Sequence, residues 1–140
     1  MSERVDKFCN DLRDNLNGIE DRLNRAKESV EQAGNDTKEA VEAKKAEIKT
    51  KADADKQKIM DAEAKAKSWI ETKVAETEAE IEDWKTKREI HKLDKRADYS
   101  EDYAAAAIIL AAAAVDEAEM AILDAVVARM LAEETAAAAG

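Results

Sequence analysis

Proline is absent from the 140 residues, and glycine occurs only at Gly18, Gly34 and Gly140. A chain so poor in turn-formers is not built from many short elements. Aromatic residues are 4% of the total, and no window alternates apolar and polar residues among β-branched or aromatic types, so strands are not expected. The single cysteine, Cys9, excludes an intramolecular disulfide. The opening Met1-Ser-Glu-Arg-Val-Asp-Lys has no apolar stretch of the signal-peptide kind, and a cytoplasmic location is expected. Basic charge is also scarce where it would matter. The net charge is −10, and residues 98–140 carry nine acids against Arg129 alone. Nucleic acid is therefore not an expected partner, because phosphate binding needs Lys and Arg gathered on one face. The longest apolar run, Tyr103 to Val115, is thirteen residues and mostly alanine, too short for a transmembrane segment.

What the chain does contain is charge and alanine. Charged residues make up 40%, and Ala dominates the 45% that is nominally hydrophobic. Ala, Glu, Lys, Leu and Arg are strong helix formers. Alanine buries little surface, so burial energy at ~25 cal/mol per Å² accumulates slowly, and a long seam or an oligomer is the natural remedy. The expected class is all-α, with three helices forming a coiled-coil or elongated helical-bundle homo-oligomer as a single unit over residues 1–140.

Helix 1, about 2–33, places Val5, Cys9, Leu12, Leu16, Ile19, Leu23, Ala26, Val30 and Ala33 at alternating spacings of four and three, a heptad seam. Gly18 falls between seam positions. Cys9 is expected as a buried small residue of that seam, the alternative being a symmetric intermolecular disulfide. Gly34 is placed to end the helix in the left-handed conformation, with Asp36 and Glu39 at capping-box spacing.

Helix 2, about 37–96, contains no breaker, and Ile48, Ile59, Ile70 and Ile81 recur every eleven residues, with Val74 and Trp84 among those filling the same face. An eleven-residue period stacks side chains on one face of a nearly straight helix about 90 Å long. Charge changes sign at Trp84. Glu76, Glu78, Glu80, Glu82 and Asp83 precede it, and Lys85, Lys87, Arg88, Lys92, Lys95 and Arg96 follow. Antiparallel self-pairing about Trp84 would set acid against base, the equal alternative being a solvated helix with a chance charge block.

Helix 3, about 100–135, is expected to start at Ser100 as N-cap. Ile108, Val115, Ile122, Val126 and their apolar neighbours cover more than half its circumference, so it needs more than one packing partner. Asp116, Glu117, Glu119 and Asp124 are expected to form its solvated stripe. The oligomer interface is accordingly assigned to Leu12, Leu16, Ile19, Leu23, Ile48, Ile59, Ile70, Ile81, Trp84, Ile108, Val115, Ile122 and Val126.

No catalytic, cofactor-binding or metal-binding set is expected. His91 is the only histidine, no acid frames it as a triad would, and no Glu-x-x-His pair of the di-iron kind occurs. The composition predicts a non-enzymatic scaffold or adaptor that self-associates, a dimer first, with a separate protein partner as the alternative. The Ala-rich amphipathic helices and eleven-residue period also resemble phasins and exchangeable apolipoproteins, which would imply a coat on a lipid or polymer-granule surface with helix 3 inserted. Lys51-Ala-Asp-Ala-Asp-Lys56 and Asp61-Ala-Glu-Ala-Lys-Ala-Lys67 look like late-embryogenesis-abundant repeats, implying a stress protectant. Leu12, Leu16, Ile19 and Leu23 argue instead for stable folding in water.

Overall fold

The computed structural model describes residues 3–140, without the side chain of Val74. Ser2, the expected first residue of helix 1, and the Val74 side chain thus lie outside the described residues. The described chain is all-α: α1 Glu3–Ala33, α2 Lys38–Ala54, α3 Lys56–Ala75, α4 Glu78–Thr86 and α5 Ile90–Ala139. No strand occurs among the described residues.

α1 runs through Gly18 and ends before Gly34 by a mechanism other than the expected one. No glycine has positive φ. Instead the amide of Asn35 donates to the Gln32 carbonyl (2.9 Å) and that of Asp36 to the Ala33 carbonyl (3.4 Å), a tightened last turn. The N-cap of α2 is Thr37, one residue beyond Asp36, and its hydroxyl accepts from the Ala40 amide at 3.2 Å.

The region expected as one straight helix over 37–96 is divided. Asp55 separates α2 from α3 with backbone angles of φ −92° and ψ 2°. Between α3 and α4, Thr77 forms a reciprocal capping box with Glu80. Thr77-Glu-Ala-Glu80 carries that signal in the sequence, hidden inside the acidic run. α4 then closes in a Schellman-type turn, in which the Glu89 amide donates to the Trp84 carbonyl at 2.8 Å and Arg88 stands at φ 55°. The isoleucine stripe is consequently shared among α2, α3 and α4, and Ile70 is exposed. Ser100 caps nothing. It lies inside α5, which begins ten residues earlier because Ile90 to Tyr99 contains no helix breaker.

The helices gather into two compact units, one of residues 1–13 and 57–110 and the other of residues 14–56 and 111–140. In the first, Trp69 of α3 stacks on Tyr103 of α5 with centroids 4.0 Å apart and planes 12° from parallel. Ala62 and Ala106 are buried, and Arg4 donates to Asp98 at 2.6 Å. Arg96 lies 3.7 Å from Glu76 and Lys87 3.2 Å from Asp83. The turn after Trp84 brings Arg96 of α5 beside Glu76, so one acid and one base from opposite sides of Trp84 meet within the chain.

The second unit is a three-helix bundle. Ala33, Val41, Ile48 and Leu123 form its buried core, with Met120, Val126, Val127 and Met130 packed against it. α2 runs antiparallel to α1 across the short turn. It is also antiparallel to α5, since Lys45 meets Asp124 at 2.6 Å while the earlier Lys38 meets the later Glu134 at 3.6 Å. α1 and α5 therefore run in the same direction.

Candidate functional site

The heptad seam of α1 divides lengthwise. Its Leu12, Ile19, Ala26 and Ala33 row is half-buried or buried, whereas Cys9, Leu16, Leu23 and Val30, also seven apart, are exposed. Cys9 is therefore not the buried seam residue expected of it. The cause is packing direction: neighbours within the chain cover one row, and a two-row seam is wider than that contact.

In the second unit the uncovered row borders a groove between α1 and α5, about 570 Å³ in volume. Leu23 and Val30 line it from α1, Val115 and Ile122 from α5. Ala26, Ala114 and Ala118 lie between these walls, and a methyl group fills little of the space. Leu16 is 53% exposed, Leu23 44% and Ile122 43%. Each alone would be unremarkable surface; Leu23 and Ile122 share the lining of one groove, and Leu16 lies two turns before Leu23 on the same row of α1.

Beside this groove lies a polar cluster. Asp116 is buried and accepts from Arg22 Nη1 at 2.6 Å. Arg25 lies 3.8 Å from the other oxygen of Asp116, and Arg22 also lies 3.9 Å from Asp55. Glu119 is only 2% exposed, lines the groove, and its Oε2 has no hydrogen-bond partner among the described residues. Desolvation pushes its carboxyl pKa above the ordinary range and Asp116 adds to the shift, while Arg25, Lys44 and Lys51 oppose it. Asp116 and Glu119 thus turn inward, and only Glu117 and Asp124 of the expected solvated stripe are exposed. Arg22 and Arg25, standing beside the seam of α1, are the sequence signal for this inward pair.

Of the expected interface residues, Leu23, Val115 and Ile122 share the groove, while Ile48 and Val126 belong to the core or pack on it. Leu12, Ile19, Ile59, Ile81, Trp84 and Ile108 are half-buried. Ile81 borders a smaller cleft of about 290 Å³ in the first unit, with Trp69, Tyr99 and Arg96. His91 is exposed in the first turn of α5. Among the described residues no group of three or more His, Cys, Asp or Glu is placed to hold a metal ion, and no helix is long and apolar enough to cross a membrane. Comparison with protein families, with characterised proteins and with solved structures finds no match to this chain, so its own residues carry the functional reading.

Proposed function

We propose that the protein is a non-enzymatic helical association module, a scaffold or adaptor that works by pairing with another copy of itself. The observation that supports this most directly is the exposed row of Leu16, Leu23 and Val30, of which Leu23 and Val30 line the open α1–α5 groove. A heptad row on a stable helix is a surface shaped for another helix, whose side chains enter the spaces between successive turns. Covering it would remove apolar area from water at ~25 cal/mol per Å², the term a small alanine-rich core lacks. The polar side chains lining the groove are Lys27, Glu31 and Glu119, which offer no converging set of acid, base and nucleophile.

Thermal unfolding followed by circular dichroism over a hundredfold range of protein concentration tests this reading. Association coupled to folding makes the midpoint rise with concentration. A midpoint independent of concentration, together with a monomeric mass, would remove the reading.

A further inference from the structure

We infer that two copies dock antiparallel, α1 against α1, about a two-fold axis at Leu23, so that Glu20 of each copy faces Lys27 of the other. This rests on the self-association reading and adds its direction and register.

Spacing supplies the first argument. Leu16, Leu23 and Val30 are seven residues apart, so a two-fold axis at Leu23 sets Leu23 against its symmetry mate and Leu16 against the second copy's Val30. All three apolar layers are then matched. The groove beside Leu23 and Val30 receives the side chains of the incoming helix, with Val115 and Ile122 as its far wall.

Charge supplies the second. Glu20 and Lys27 flank the same side of this row, also seven residues apart; both are exposed, and neither makes an ion pair among the described residues. In an antiparallel pair equivalent flanking rows come together, whereas a parallel pair sets each flank against the opposite one. The midpoint between Glu20 and Lys27 lies half a residue from Leu23, so the two side chains are offset along the axis by one residue, about 1.5 Å, well within the reach of a lysine. Only the antiparallel arrangement therefore gives two symmetric Glu20–Lys27 pairs. Such exposed pairs add little affinity, and their effect is to select direction and register.

Cysteine cross-linking of the full chain in a Cys9→Ser background tests the inference. Sedimentation equilibrium comes first: a monomer at every concentration would overturn the association reading itself. Given a dimer, Leu23→Cys forms an intermolecular disulfide. Leu16→Cys does not, because its symmetry mate lies about 21 Å away along the helices, beyond disulfide reach. Mixing Leu16→Cys with Val30→Cys restores cross-linking in the mixed species. Self-cross-linking of Leu16→Cys would establish parallel pairing, and a dimer in which no such pair cross-links would place the interface elsewhere. Either result overturns the inference while leaving association intact. Circular dichroism of each variant confirms folding. As a second measurement, Glu20→Lys weakens dimerisation by roughly threefold to tenfold, and adding Lys27→Glu restores it. Failure of the double exchange to restore it would contradict the pairing.

Discussion

Glu119 is the side chain in the second unit whose burial is least compensated, since its Oε2 meets no donor. With the folded carboxyl pKa raised, the folded state holds this proton more tightly than the unfolded chain. Stability from this site is therefore present below the ordinary glutamate value and is lost as pH rises through the folded value. Glu119→Gln removes that loss, so urea unfolding should show a gain on the order of 1 kcal/mol near pH 7.5 and little at pH 4. Asp116, by contrast, is paired, its carboxylate meeting Arg22 at 2.6 Å. Asp116→Ala leaves Arg22 with only the longer contact to Asp55 and is expected to cost about 2–3 kcal/mol, at or below the usual range for a buried pair because Arg22 is partly exposed. Arg88 occupies the left-handed position that glycine ordinarily fills at a helix end. Arg88→Gly should leave the turn intact and raise stability by up to about 1 kcal/mol in the same assay.

At the scale of elements, α1 is the helix whose sequence is most explicit and whose weakest point is Gly18. A Cβ added there meets nothing within 4 Å, so Gly18→Ala is expected to stabilise by about 0.5–1 kcal/mol, read as a higher thermal midpoint. The seam of α1, the turn at 34–37 and the apolar character of residues 103–131 were all legible from spacing and composition. The divisions at 76–77 and 87–89 were not. Their signals are a threonine and glutamate inside an acidic run, and an arginine doing a glycine's work, neither of which breaks a helix by propensity alone. Ser100 failed for the converse reason. A good cap residue is not used where the preceding ten residues continue a helix that packs, as Trp69 against Tyr103 and Arg4 against Asp98 show. The groove could not be read from sequence, because deciding which half of a heptad seam faces inward requires knowing that α5 returns alongside α1.

At the scale of the whole molecule, the apolar third helix expected to need company finds part of it within the chain, from α1 and α2 in the second unit. Apolar side chains remain uncovered in both units, and in the second they include one heptad row of α1 and the groove that Leu23, Val30 and Ile122 line. That row and groove are the basis for reading the protein as an association module, and Leu23 stands at their centre. The direct test is the solution mass by light scattering of the natural sequence beside Leu23→Glu, a change at an exposed position that leaves the chain's own core untouched. The account predicts twice the 15.4 kDa chain mass for the former and the single-chain mass for the latter, with equal helical content. A natural chain that stays at 15.4 kDa at all concentrations, or a Leu23→Glu variant that dimerises as well as the natural one, would contradict it.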